Sequence, residues 1–180
     1  GRAGRDGENA ECILLYSGSD IYTAKFLIEN STDNEELTEQ QRACIAELNG
    51  VRQLYRGVAL NTNICFSNPE ARRLQAQYIA DYAEKQNNVD FLHIWLADDM
   101  NNHCECENCR DQIPADLYVQ LLNEIDSRLP QEGIPTKSAF LCYCDLYWAP
   151  VKEHFKNKDR FAFMATIAHS YSKPLMQFDR

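Results

Sequence analysis

From Val58 onward, short apolar runs alternate with stretches whose apolar residues recur every three or four positions. Val58–Phe66 reads as a strand that stops at Ser67-Asn68-Pro69-Glu70. Asn68 suits an N-cap there, Pro69 the first helical position, and Glu70 the positive end of the helix dipole. The helix is expected to run to about Gln86, with Ala71, Leu74, Tyr78, Ile79 and Tyr82 on one face and Asn87-Asn88 breaking it. Phe91–Ala97 is an apolar run without Gly or Pro, the pattern of a buried strand. Pro114 and Asp116 open a second helix with a stripe of Leu117, Leu121, Leu122, Ile125 and Leu129, and Pro130 and Gly133 end it. Lys137–Cys144 predicts a strand, Val151–Phe155 a short helix and Phe161–Ala168 a last strand.

Before Val58 the pattern is weaker. Residues 1–10 are Gly-rich, charged and expected to fray. Cys12–Tyr16 reads as a short strand ending at Ser17-Gly18-Ser19-Asp20, and Ile21–Ile28 fits either a strand or the start of a helix. Asn30–Asn34 is polar loop. Glu35–Leu48 places Leu37, Cys44, Ile45 and Leu48 at helical spacing before the stop signal Asn49-Gly50.

Strands alternating with helices, joined by crossovers long enough for parallel pairing, define an α/β chain. A full (β/α)₈ barrel takes about 250 residues. The 180 residues here, read as a single domain, therefore predict a partial or truncated barrel of TIM type, with an open doubly wound sheet as the competitor. Both architectures place function at the carboxyl ends of the parallel strands. Polar and aromatic residues collect there: Asp98 and Asp99, then Asp145, Tyr147 and Trp148, then His169 and Tyr171.

Composition narrows the partners. Apolar residues make up 44% and charged residues 25%, ordinary globular usage. A net charge of −9 argues against nucleic acid, whose phosphates are bound by clustered Lys and Arg. No apolar stretch reaches the roughly 18 residues that span a bilayer. The chain opens at Gly1 and carries no signal peptide, which fits a processed or excised product of a longer parent.

Two groups of residues could carry chemistry. Asp98 and Asp99 set two acids at the mouth of an apolar strand, the arrangement that general acid–base work at a glycosidic bond uses; capping a turn or facing water is the plainer reading. Successive residues of an extended segment point to opposite sides, so only one of the two is expected to face a reacting centre. Tyr147 and Trp148 beside Asp145 suit the flat face of a sugar or an anchor for the loop, whereas Trp95 inside its strand reads as core. Cys104-x-Cys106-x-x-Cys109 is the most specific spacing among the eight cysteines. Three thiolates in one loop suit tetrahedral zinc, with His103, Cys142 or Cys144 as fourth ligand. Disulfides and free thiols stay open as alternatives. A zinc there is expected to be structural, since three thiolates make a poor Lewis-acid site. Cys12, Cys44 and Cys65 stand alone in apolar surroundings and read as small buried hydrophobes.

Ile64–Arg72, Asp90–Cys109 and Asp116–Ile125 together resemble the bacterial barrel domains grouped as domain of unknown function 4838, which are similar to glycoside hydrolases. The resemblance covers about Asn49–Tyr171. It implies a carbohydrate-processing barrel, an oligo- or polysaccharide partner, no cofactor for catalysis, and an extracytoplasmic setting (secreted, periplasmic or cell-surface). A looser similarity links Leu92–Asp99 to the strand end of family 20 β-hexosaminidases. It implies His93 as the strand histidine, Asp98 as the acid that orients an acetamido group and Asp99 as general acid. Trp95 and Leu96 depart from that motif, and Asp99 is one carbon shorter than the family's Glu. A non-catalytic carbohydrate-binding or structural domain, held by the cysteine loop, is the alternative to an enzyme.

Overall fold

The computed structural model describes residues 39–58, 61–86, 89–131 and 133–165. The predicted strands at Cys12–Tyr16 and Ile21–Ile28, and the site residues His169 and Tyr171, lie outside them. In chain order the elements are α1 (Glu39–Cys44), β1 (Glu47–Leu48), β2 (Val51–Arg52), α2 (Pro69–Lys85), β3 (Phe91–Ile94), α3 (Pro114–Gln131), β4 (Lys137–Cys142) and β5 (Phe161–Ala165). β3, β4 and β5 form a parallel sheet in that order, and β1 and β2 form a small antiparallel hairpin. The protein is therefore mixed α/β with parallel pairing, as its alternation predicts. Among the described residues the sheet has three strands and does not close into a barrel.

The two long helices start and stop for local reasons. The Asn68 side chain accepts from the amides of Glu70 and Ala71, so α2 begins where its cap signal stands. α3 ends on Gly133 at φ 75°, where the Gly133 and Ile134 amides return to the Pro130 and Leu129 carbonyls. That pattern needs a left-handed residue, which glycine takes without cost. Leu121, Leu122, Ile125 and Leu129 from α3 are fully buried with Ile79 from α2 and with Leu92 and Ile94 from β3. Arg72 pairs with Glu124 across the two helices at 2.6 Å. The other face of the sheet is more open: Phe91 is 39% exposed, and His93 and Leu141 are half-buried.

The elements depart from the sequence pattern in four places, and in three of them side chains replace backbone partners. β3 pairs only through Ile94. Beyond it the Ile94 carbonyl accepts from the Tyr118 hydroxyl, and the Ala97 amide donates to Asn63 at 3.1 Å. Val58–Phe66 is not a strand in its described residues apart from an isolated bridge between Ile64 and Ile45, because Thr62 and Asn63 spend their side chains on neighbouring backbone. Helix α1 stops at Cys44, earlier than the Glu35–Leu48 spacing suggests, and the chain turns into the β1–β2 hairpin.

The fourth case is Val151–Phe155, which is not a helix. The amides of Val151, Lys152 and Glu153 all donate to one Asp116 oxygen at 2.9 Å, and the Lys156 amide donates to Asn123. The Lys156 amide is thereby withdrawn from a helical ladder over this segment, and the other three tie it to α3. The β4–β5 connection is instead strapped to α3, and the Asp126–Arg160 ion pair secures its far end.

Asp116 gives this strap a pH dependence. Burial pushes its carboxyl up, but the amides of Glu153, Lys152 and Val151 outweigh that and hold it below the ordinary carboxylate range. A group lowered in the native state stabilises fully above its unfolded pKa, about 3.9, and loses that contribution as pH falls through the native value. Asp116→Ala is expected to cost about 1–3 kcal/mol by removing the one acceptor of three part-buried amides. The gap between wild type and mutant in urea melts should narrow below about pH 4. A gap that persists unchanged there would remove the carboxylate from this role.

Candidate functional site

The loop after β3 carries most of the chemistry, and two buried amides shape it. Asn102 is 1% exposed; its side chain donates to the carbonyls of Asn61 and Asp98 at 3.0 and 2.8 Å. Asn63, equally buried, donates to the Asn102 side-chain oxygen at 3.0 Å and accepts from Ala97. Such a fully bonded buried amide pair specifies one loop path, because any other path strands polar atoms. The sequence reading passed over both asparagines.

Along that path Asp98 is exposed and accepts from the Asp99 amide. Asp99, at φ 96°, forms an ion pair with Arg56 at 2.8 Å. The Asn101 amide donates to Asp145 at 2.9 Å, and His103 Nε2 lies 3.5 Å from the same carboxylate oxygen. Burial lowers the His103 pKa, and the Asp145 charge opposes the shift. Asp145 sits in a short 3₁₀ turn, Cys144–Tyr147, directly after β4. Tyr147 and Trp148 follow it and stand 51% and 76% exposed. Asp98, Asp99, His103, Asp145, Tyr147 and Trp148 thus belong to adjoining loops at the carboxyl edge of β3 and β4. His93 stands apart, within β3, its ring 6.2 Å from Trp95 in an edge-on contact.

The cysteines form a separate cluster. Sulfurs of Cys65, Cys104, Cys106 and Cys109 all lie within 4.8 Å of one another, and all four residues are buried. The fourth sulfur is Cys65, the residue the sequence pattern assigns to the core, and not His103, Cys142 or Cys144. His103 is turned to Asp145, the Cys142 thiol donates to the Leu146 carbonyl at 3.1 Å, and Cys144 lies against Tyr143. One sequence signal could have found Cys65: it precedes the Asn68 cap and so sits at the loop edge before a helix, where Cys104–Cys109 also falls. No disulfide joins the described cysteines.

The geometry suits a single ion. A tetrahedral ion with metal–sulfur bonds of about 2.3 Å sets its sulfurs about 3.8 Å apart. Cys65 lies 3.7 Å from Cys106 and 4.0 Å from Cys109. Cys106-x-x-Cys109 forms a tight knuckle in which the Cys109 and Arg110 amides return to the Cys106 carbonyl. The Glu47 amide donates to the Cys104 sulfur at 3.2 Å. Hydrogen bonds from the Cys104 and Cys109 thiols hold Cys65 far below the ordinary thiol range, and the same contacts push Cys104 above it.

Fold and site define a mixed α/β protein with a four-cysteine cluster able to hold a metal ion. Thirty-six residues of it, 20% of the chain, are 56% identical to part of the ATP-dependent DNA helicase RecQ of Bacillus subtilis. The chain spans only 6% of that helicase's length. No family model matches the chain, and no solved structure matches it. None of the helices among the described residues is long and apolar enough to cross a membrane.

Replacing Asn102 or Asn63 by Ala should cost about 1–3 kcal/mol each, the penalty of a buried polar partner left unpaired. The double mutant should cost less than the sum, because the two share a bond. Additive losses in denaturant melts would show that the pair does not act as a unit.

Proposed function

We propose that this chain is a carbohydrate-handling domain of glycoside-hydrolase type, a piece of a (β/α) barrel, whose rim is held by a structural zinc. The observation that carries the reading is the meeting of Asp98, Asp99 and Asp145 with the exposed rings of Tyr147 and Trp148 at one carboxyl edge of a parallel sheet. Flat apolar rings beside hydrogen-bonding acids are what a pyranose offers its two kinds of surface to. The open sheet face bearing Phe91 and Leu141 supports the barrel reading, since parallel sheets are normally covered on both sides.

Asp98 is the acid best placed to reach a ligand, being exposed, whereas Asp99 is engaged by Arg56. That engagement favours the second reading, a domain that binds sugar without cleaving it. The net charge of −9 speaks against extending the helicase's DNA substrate to this chain.

For the metal, zinc is the ion that four thiolates in a tetrahedron select. Four protein sulfurs leave no open position for water or substrate, so the ion's part is structural. Cys104 adjoins His103 in sequence, and through it the ion would steady the loop that meets Asp145.

Metal analysis of the full chain should find one zinc per molecule. Cys65→Ser should lower that content as much as Cys104→Ser does, while Cys142→Ser leaves it unchanged. Zinc retained in full by Cys65→Ser would refute the fourth ligand. On a glycan array, Trp148→Ala should weaken binding at least about tenfold, equivalent to the 1.4 kcal/mol scale of a ring contact. Asp98→Asn should abolish any hydrolysis of aryl glycosides. Binding to no glycan by the wild type would end the carbohydrate reading.

A further inference from the structure

We infer that Arg52 is a positioning residue of the four-cysteine centre: its guanidinium offsets the charge of the thiolates and holds their Cys65–Cys106 side in place. The inference rests on the structural-zinc reading above.

Four thiolates around one divalent cation leave two negative charges in excess, inside a site whose ligands are all buried. Charge in such a place is costly unless a partner and hydrogen bonds meet it. The β1–β2 hairpin supplies both. From β1, the Glu47 amide donates to Cys104. From β2, the Arg52 side chain stands in the same cavity wall as Cys65 and Cys106. Arg52 is itself aimed by its surroundings: one nitrogen donates to the Ile45 carbonyl at 2.6 Å, and Nε lies 3.3 Å from the Glu47 carboxylate.

A cavity of about 590 Å³ opens on this side of the cluster, lined by Cys65, Cys106, Ser67, Asn68 and Arg52 among others. Arg52 is the cationic side chain in that lining. Ser67 completes the contact, its hydroxyl 3.3 Å from Cys65 and 3.5 Å from Cys106. The sulfurs most open to the cavity are therefore the ones a cation and a hydroxyl attend. A guanidinium suits the task because it stays charged, is weakly hydrated and offers several donors in a plane. Outer-shell partners of this kind commonly set metal affinity.

A plainer role must be separated from this one, in which Arg52 merely ties the hairpin together through Glu47. The test uses the full chain as wild type, Arg52→Gln, Arg52→Lys and Glu47→Gln. Zinc affinity is read by competition with a chromophoric chelator, and cobalt(II) substitution reports the sulfur-to-metal charge-transfer band. Arg52→Gln should lose about 10- to 100-fold in affinity, Arg52→Lys only a few-fold, and Glu47→Gln, which loosens the guanidinium but keeps its charge, clearly less than Arg52→Gln. Circular dichroism at saturating zinc checks that each variant folds, and Arg52→Lys decides the matter if Arg52→Gln does not. An affinity of Arg52→Gln within twofold of wild type would overturn the inference, as would an equal loss in Arg52→Lys or in Glu47→Gln. A wild-type chain that binds no zinc would sink the zinc reading itself, a result distinct from all of these.

Discussion

Beside the carboxyl edge, four sulfurs converge from two segments about forty residues apart. Cys65 comes from the turn before α2, and Cys104, Cys106 and Cys109 from the loop after β3. Neither segment has regular structure of its own at that point. β1 and β2, which cover the cluster, are two residues long and too short to persist by themselves. An ion shared by the four sulfurs would tie these pieces together, and the Glu47 amide already joins the hairpin to Cys104. The four cysteines belong to the apolar core made by α2, α3 and the sheet, so packing and sulfur convergence act at one place.

Beyond the cluster, the edge is built by side chains doing what backbone usually does. Asn63 stands in for a neighbouring strand beside Ala97, Tyr118 bridges the ends of β3 and β4, and Asp116 with Asn123 straps the β4–β5 connection to α3. Each replaces a repeated ladder by a single specific contact. A ladder tolerates change at any one rung; a lone carboxylate serving three amides does not. The result is a set of loops whose paths around Asp98, Asp145 and the Tyr147–Trp148 pair are set by single contacts.

Much of the fold was legible in the chain. Asn68, Pro69 and Glu70 announced α2 to the residue, and Pro114 with the Leu117–Leu129 stripe announced α3, because caps and helical period act within one turn. Lys137 correctly began β4. The errors share one cause. Val58–Phe66 has the apolar content of a strand, yet Thr62 and Asn63 bond elsewhere; Val151–Phe155 looks helical, yet its amides answer to Asp116 some thirty-five residues away. Cys65 is the buried core residue its apolar run suggests, but its grouping with Cys104, Cys106 and Cys109 could not be read from the chain, since those partners lie about forty residues away.

The chain by itself determined the alternation of elements, the parallel sheet that alternation implies, and the three-cysteine spacing, all of which rest on contacts a few residues apart. Tertiary structure alone decided the fourth sulfur, the pairing of Asn63 with Asn102, and the placement of Arg52 and Asp145. Those contacts join residues tens of positions apart, and no local propensity encodes them. They form only once helix packing and strand register have fixed which loops meet.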